Sequence, residues 1–283
     1  LTAFIGQNIG ANKQERISLL AHELFHVSQP SLGFQLFNTD NNHLDKKDGR
    51  IYLRLELEAL KKIIFSTNKN EQEKHLSNAF TFRKYRHSLY SGADNTENLL
   101  ELNEGLAEYT GFTVSERTEK QAIEHFEQSI NSFFTNPTFV RSFAYQTIPV
   151  YGYLLSKINK GWNKDISIKT NLTDYFLKEF NISLPKDLKK SVESLLNQYN
   201  GEAIISEEKA REDKTNNLIA EYKNRFINQP HFEIGFEQMQ VSFDPRNIMP
   251  LEDKGTVYPN MRISDNWGIL TVTNGALMSP NWN

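Results

Sequence analysis

The chain has 283 residues, and its 32 basic against 35 acidic side chains leave a formal net charge of −3. This balance argues against nucleic acid as a partner, because nucleic-acid-binding domains normally carry a clear basic excess. There is no cysteine, which excludes disulfides, thiolate metal ligands and cysteine nucleophiles. No run approaches the roughly 20 apolar residues of a membrane span, so we expect no membrane span in this chain.

The chain begins at Leu1 rather than with a methionine, and it stops at Asn283 shortly after a predicted strand. We therefore expect a segment truncated at both ends from a longer polypeptide. The absence of cysteine fits a periplasmic or secreted bacterial protein, so the expected localisation is extracytoplasmic. The sequence leaves the oligomeric state open.

Composition and periodicity predict a mainly helical chain with a small β module at its end. Helices are predicted at about 12–27, 50–65, 71–90, 95–111, 112–134, 141–155, 171–180, 185–199 and 206–226. From Pro230 onwards, apolar runs at 232–237, 239–243, 255–258, 261–263 and 267–273 alternate with turn residues, which is typical of short strands. The predicted fold class is α+β, with a helical domain at 1–229 and a β segment at 230–283.

The first predicted helix carries the pattern H-E-x-x-H in His22-Glu23-Leu24-Phe25-His26. Residues four apart lie one helical turn above each other, so the two imidazoles project side by side. They can occupy two corners of a tetrahedral zinc site, and Glu23 can then take a proton from water activated by the metal. The alternative is an accidental match, which we expect in roughly one chain in a hundred of this length.

A second pattern is an acidic stripe. Glu97, Glu101, Glu104 and Glu108 recur at intervals of four, three and four, so a regular helix would place them on one face. Like charges at this spacing repel by a few tenths of a kcal/mol per pair, and a solvated face is the commoner explanation. Here apolar residues surround the stripe and Gly105 permits close approach of another backbone. A cation between the helices would remove the repulsion.

A zinc site needs a third protein ligand and an open position for water, and zinc (Zn²⁺) suits two imidazoles and one carboxylate. Glu56 or Glu58 on the next predicted helix, and Glu104 further on, are the candidates. Other polar groups are interpreted as solvated: His43 and Asp45 in a surface loop, and Arg83, Lys84, Arg86 and His87 on an exposed helix face.

The combination of H-E-x-x-H with Asn103-Glu104-Gly105 and Glu108 resembles the gluzincin metallopeptidases, the group that contains thermolysin and the aminopeptidase N family. The resemblance covers roughly 17–112. It implies that Glu104 is the third zinc ligand and that Glu108 hydrogen-bonds a zinc-binding histidine. It also implies a zinc metallopeptidase that acts on peptides or proteins, with Glu23 as the general base. The interval between His26 and Glu104 exceeds the short spacers of these families, so the rim of the site should differ.

The oxyanion formed during hydrolysis needs a donor besides the metal. In aminopeptidase N relatives, a tyrosine in a Tyr-x-Lys-Gly-like context supplies it. Tyr145-Gln-Thr-Ile is the nearest match, with Ile148 in place of the glycine, and Tyr151-Gly152 is the second choice. There is no motif like G-A-M-E-N for a free amino terminus, so the choice between endopeptidase and exopeptidase stays open.

Two rival hypotheses remain from the sequence. The protein could be an extracytoplasmic binding or scaffold protein with a structural or vestigial zinc site, whose function is carried by Tyr258, Trp267 and Trp282 of the β segment. Glu23 argues against this hypothesis, because a structural site needs no base. Alternatively, the site could hydrolyse an ester or an epoxide instead of a peptide bond.

Overall fold

The computed structural model describes residues 12–34, 40–244 and 248–282. These residues form mainly α-helices followed by short antiparallel strands, so the predicted α+β class with a mainly helical character is confirmed. The chain packs as two compact units, a first unit up to Glu208 and a C-terminal unit from Lys209. This division falls inside a long helix, whereas the sequence changes character at Pro230. The functional domain limits stay a prediction.

The described helices match most of the predicted ones to within a few residues, but the helix predicted at 112–134 begins at Glu119 and the one predicted at 206–226 begins at Gly201. Their bounds are Lys13–Ser28 (α1), Lys47–Phe65 (α2), Lys69–Leu89 (α3), Ala93–Leu100 (α4), Leu106–Val114 (α5), Glu119–Phe133 (α6), Ala144–Ser156 (α7), Leu172–Glu179 (α8), Leu188–Leu195 (α9) and Gly201–Lys223 (α10). A π-helical turn at Glu101–Gly105, hereafter the π turn, joins α4 to α5 without a break. No helix among the described residues is long and apolar enough to cross a membrane.

The core of the first unit surrounds α2. Its alternating leucines, among them Leu53, Leu55 and Leu57, are all fully buried, because α3, α6 and α7 pack around this helix. The alternation that resembles a strand in the sequence is therefore a helix covered on several sides.

The first helix, α1, packs against α5 through its polar face. Asn12 caps its N-terminus and accepts a hydrogen bond from the backbone N–H of Glu15, and the helix buries Ser18 and His22. Its apolar residues Leu20, Leu24 and Val27 are 49%, 64% and 61% exposed. The fully buried positions of α1 are thus polar, whereas Phe25, which packs against the core, is half-buried.

Two glycines allow neighbouring helices to approach the helix that carries the acidic stripe. A Cβ atom on Gly111 would lie 2.4 Å from the backbone oxygen of Ser18 in α1. A Cβ atom on Gly105 would lie 2.6 Å from Cγ1 of Ile148 in α7. The close approach expected at Gly105 is confirmed, and it brings the start of α7 to the π turn.

The C-terminal unit contains two small antiparallel sheets. One has the order β1-β4-β5 and the other β2-β3-β6, with strands Gln240–Phe243 (β1), Met249–Pro250 (β2), Thr256–Tyr258 (β3), Met261–Asp265 (β4), Gly268–Val272 (β5) and Ala276–Met278 (β6). The strand predicted at 232–237 is wrong. This stretch pairs with no described strand and Phe232 is fully exposed, because alternation in a sequence does not supply a pairing partner.

Candidate metal centre

The structure brings His22 and His26 of α1 together with Glu104 of the π turn. The Nε2 atoms of the two histidines lie 3.0 Å apart. Oε2 of Glu104 lies 3.6 Å from Nε2 of His22 and 3.3 Å from Nε2 of His26. These three residues form a group, within the described ranges, whose ligand atoms converge closely enough to hold a metal ion.

The spacing of the three atoms can be compared with that of a tetrahedral zinc site. With zinc–ligand bonds of about 2.0–2.1 Å, the edges of the tetrahedron are about 3.3–3.4 Å long. The observed separations of 3.0, 3.3 and 3.6 Å lie on both sides of that length. Two imidazoles and one carboxylate are also a donor set that suits zinc. The residues therefore fit a zinc ion that retains one open position.

Glu108 holds the ring of His22 from the side opposite the converging atoms. Its Oε2 lies 2.8 Å from Nδ1 of His22. An ionised carboxylate can only accept a hydrogen bond, so the proton of the neutral ring lies on Nδ1 and Nε2 is left with a free lone pair. The structure thus places Glu108 where it orients the ring of His22.

Gln29 holds the ring of His26 through Nδ1, as Glu108 holds the ring of His22. The sequence did not predict this role for Gln29. Gln29 follows α1 directly and is fully buried; its Oε1 lies 2.7 Å from Nδ1 of His26. Gln29 stands just before Pro30, where the sequence predicts only the end of the first helix. The available signal was its spacing, because residues 22, 26 and 29 follow the four-and-three pattern of one helix face.

Tyr145 lies in the first turn of α7 and reaches the site. Its hydroxyl donates a hydrogen bond of 2.5 Å to Oε2 of Glu104, and its ring stacks on that of His22 with centroids 5.5 Å apart. Tyr151, the second choice for the donor to the oxyanion, does not reach the site, so this alternative is wrong. It is fully buried and donates to Oε1 of Glu56 at 2.8 Å, away from the converging atoms.

Glu23 is exposed, and within the described ranges it makes no hydrogen bond or ion pair. Burial and the hydrogen bond to Glu104 raise the pKa of Tyr145, and the charge of Glu23 adds to this rise. The carboxylate of Glu23 is therefore accessible to a molecule that approaches the site from solvent.

The charges of the site favour a bound proton where a metal would bind. Burial lowers the pKa of His22, but hydrogen bonds with Glu104 and Glu108 outweigh this effect and raise it to about 9. The hydrogen bond with Glu104 also raises the pKa of His26. Burial opposes a fall in the pKa of Glu104, yet its contacts with both histidines and Tyr145 lower it. A metal would have to displace this proton.

The acidic stripe is divided into two pairs that face different partners. Glu104 and Glu108 face the histidines of α1, as described above. Glu97 and Glu101 are fully buried against α3, where Arg86 Nη2 lies 2.6 Å from Glu97 and Arg83 Nη2 lies 2.8 Å from Glu101. The expected cation between the helices is thus supplied, for this half of the stripe, by arginine.

The π turn separates the two pairs. Its hydrogen bond runs from the N–H of Leu106 to the carbonyl of Glu101, which spans one residue more than an α-helical turn. The extra residue changes the direction in which the later glutamates project. A π turn inside an α-helix is frequent at functional sites, and here it carries Glu104.

Several residues that the sequence predicts to be solvated are buried in the structure. Arg83 and Arg86 are fully buried because Glu56, Glu97 and Glu101 compensate their charges. Of the same cluster, Lys84 is half-buried beside the exposed Asp174, and Nε2 of His87 lies 3.0 Å from Glu97. His43 is buried as well, with Nε2 2.8 Å from Glu97.

The alternative third ligands lie elsewhere. Glu56 is fully buried between Arg83 and Arg86, at 2.7 and 2.8 Å. Glu58 pairs with Lys61 at 2.9 Å. Asp45, expected in a solvated loop, accepts a hydrogen bond from the backbone N–H of Phe139. None of these carboxylates reaches the histidines, so Glu104 is the carboxylate that the structure places beside them.

Comparisons with known proteins give no match to a family model, to a curated protein or to a solved structure. Any functional conclusion therefore rests on the residues of this chain and their geometry.

Proposed function

We propose that this protein is a zinc-dependent metallopeptidase of the gluzincin type. His22, His26 and Glu104 would hold the metal, and Glu23 would act as the general base. One observation carries the proposal: three ligand atoms separated by 3.0–3.6 Å, in a chain whose exposed Glu23 follows the first ligand directly.

When bound, zinc acts as a Lewis acid that acidifies water and polarises a carbonyl group. The carboxylate of Glu23 would accept the proton from that water and pass it to the leaving amine. It is suited to this role because no described residue occupies it with a hydrogen bond or ion pair. Tyr145 contributes a hydroxyl that holds Glu104 and would donate to the oxyanion formed during hydrolysis.

The proposal is tested by measuring zinc content and peptide cleavage in the wild type, in Glu23→Gln and in a control, Glu73→Gln. Glu73 lies in α3 with its side chain 65% exposed and takes no part in the site. We expect about one zinc ion per chain in all three proteins. Glu23→Gln should lose cleavage by about 10²–10⁴-fold, which is the usual contribution of a general base.

A wild type that holds one zinc ion but cleaves no peptide in a diverse library contradicts the proposed activity. A library of simple esters, assayed in parallel, separates a peptidase from an esterase with the same site.

A binding protein with a structural zinc site is the second candidate, and one observation favours it. Trp267 and Trp282 of the C-terminal unit are 48% and 43% exposed. Tyr258 takes no part in such a surface, because it is buried with Met261 and Ile263. Glycan binding measured for the wild type and Trp267→Ala tests this candidate, and binding that Trp267→Ala leaves unchanged contradicts it.

A further inference from the structure

Gln29 contacts both of the elements that carry the proposed metal ligands. Its Oε1 lies 2.7 Å from Nδ1 of His26, at the end of α1. Its Nε2 donates to the backbone carbonyl of Asn103 at 2.8 Å, in the π turn, with the carbonyl of Leu102 at 3.4 Å. The side chain is fully buried, so water does not compete for these contacts.

The orientation of this amide determines the tautomer of His26. Backbone carbonyls only accept hydrogen bonds, so the NH₂ group of Gln29 must face Asn103 and its oxygen must face the imidazole. An amide oxygen cannot donate, so the hydrogen bond requires a proton on Nδ1 of His26. The Nε2 atom of the neutral ring then keeps its lone pair on the side of His22 and Glu104.

The second contact of Gln29 fixes the residue beside the third ligand. Asn103 precedes Glu104 directly, and its own side-chain NH₂ group lies 3.3 Å from Oε1 of Glu104. The backbone of Gln29 is itself held, because its N–H donates to the carbonyl of Phe25 as α1 ends. One side chain therefore connects the last turn of α1 to the turn that presents Glu104.

We propose that Gln29 is a positioning residue of the metal centre, which selects the metal-binding tautomer of His26 and sets its distance to Glu104. This inference rests on the proposed zinc site. It adds a residue that touches neither substrate nor metal and acts through His26 and the π turn.

The experiment is a titration of the metal-free full-length protein with zinc alone, in competition with a chromophoric chelator. It compares the wild type with Gln29→Leu, Gln29→Glu and a control, Gln72→Leu. Gln72 also donates to a backbone carbonyl, that of Ser66 at 2.5 Å, but contacts no residue of the site. Circular dichroism verifies that each variant is folded.

We expect Gln29→Leu to bind zinc about 10–100-fold more weakly, which is the usual effect of removing such a partner of a metal ligand. Gln29→Glu retains an acceptor of the same length for Nδ1 of His26 but loses the donor to the carbonyl of Asn103, so its zinc affinity should lie between those of Gln29→Leu and the wild type. Gln72→Leu should bind zinc like the wild type. Gln29→Leu with wild-type affinity would overturn the role of Gln29 and leave the zinc site intact.

A second measurement does not depend on the folding of any variant. Nitrogen-15 spectra of the zinc-loaded wild type should show His26 protonated at Nδ1, and a ring protonated at Nε2 overturns the assignment. A wild type that binds no zinc overturns the metal site and this role together, so the two failures can be distinguished.

Discussion

The two candidate histidine ligands differ in the group that holds Nδ1. His22 has the carboxylate of Glu108, whereas His26 has the neutral amide of Gln29. A carboxylate stabilises the charged imidazolium and an amide does so only weakly. His22 therefore has hydrogen bonds with two carboxylates, Glu104 and Glu108, and these raise its pKa to about 9 although burial lowers it.

The raised pKa predicts a pH dependence of zinc binding. Below pH 9 the metal-free His22 carries a proton that zinc must displace, so zinc affinity should increase with pH up to about 9. Binding at pH 8 should therefore release protons, measured by calorimetry in buffers of different ionisation enthalpy. The same shift should stabilise the metal-free protein below pH 6.5, and this stabilisation should be lost as the pH rises through 9.

Glu108→Gln provides the matched comparison. It removes one of the charges that raise the pKa of His22, so fewer protons should be released at pH 8. Equal proton release in both proteins contradicts the assignment of the bound proton to His22.

Tyr145→Phe distinguishes two roles of the hydroxyl group, which are to hold Glu104 and to donate to the oxyanion. Because that hydroxyl donates to Oε2 of Glu104, we expect its removal to weaken zinc binding by about tenfold. Tyr153→Phe, on the same helix but packed against Phe112 and Phe126, is the control. Unchanged zinc affinity with kcat reduced by about 10²–10³ would instead assign the hydroxyl to the oxyanion alone.

At the scale of elements, the approach of α1 to α5 depends on Gly111. An added Cβ would meet a backbone oxygen of Ser18 at 2.4 Å, and backbone cannot rotate away as a side chain can. Overpacking of this kind costs about 1–3 kcal/mol, more than the roughly 1 kcal/mol that alanine gains over glycine in a helix. We expect Gly111→Ala to lower the free energy of unfolding by up to about 2 kcal/mol in urea titrations of the metal-free protein.

Gly161→Ala is the control for this effect. A Cβ there meets nothing closer than 3.9 Å and the backbone has φ −106°, so the protein should keep or gain up to about 1 kcal/mol. A Gly111→Ala variant as stable as Gly161→Ala would show that α1 can move away from α5 at little cost.

The sequence predicts those parts of the fold and site that local spacing determines. The positions of His22 and His26 follow from helical periodicity, and the proximity of Glu104 and Glu108 follows from a resemblance. Three features have no local signal strong enough to predict them. Gln29 acts through a residue more than 70 positions away, and the π turn differs from an α-helical turn by one hydrogen bond.

The third feature is the burial of Arg83 and Arg86. Their spacing on α3 is equally typical of a solvated face, and only the tertiary fold places Glu56 and Glu101 against them. For the same reason, alternation at 232–237 predicted a strand that lacks a partner. Charge and periodicity identify the element, whereas pairing between distant elements decides what is buried.

At the scale of the molecule, these buried charges connect much of the first unit. Arg83 binds Glu56 of α2 and Glu101 of the π turn, and Thr147 of α7 donates to the same Glu101 at 2.7 Å. Removal of one partner from such a network leaves uncompensated charges in the interior. Arg83→Met should therefore lower the free energy of unfolding by about 3–5 kcal/mol.

Lys84→Met, at the adjacent position, is the control for the stability loss of Arg83→Met. Lys84 pairs with Asp174 at 3.2 Å in a solvated setting, and such a pair contributes at most about 1 kcal/mol. Chemical denaturation of both variants measures the difference. Equal losses would show that the buried network contributes no more to stability than a surface ion pair.

The π turn sets the angular phase between two pairs of glutamates on one continuous helix. Each residue of an α-helix advances the side-chain direction by about 100°, so a regular helix of this sequence would place all four glutamates on one face. The π turn holds one residue more than an α-helical turn, and this extra residue directs Glu104 and Glu108 to α1 while Glu97 and Glu101 face α3. A related chain that lacks one residue between Glu101 and Glu104 would form a regular helix that still directs Glu108 to α1, so a search for related sites should allow this one-residue variation.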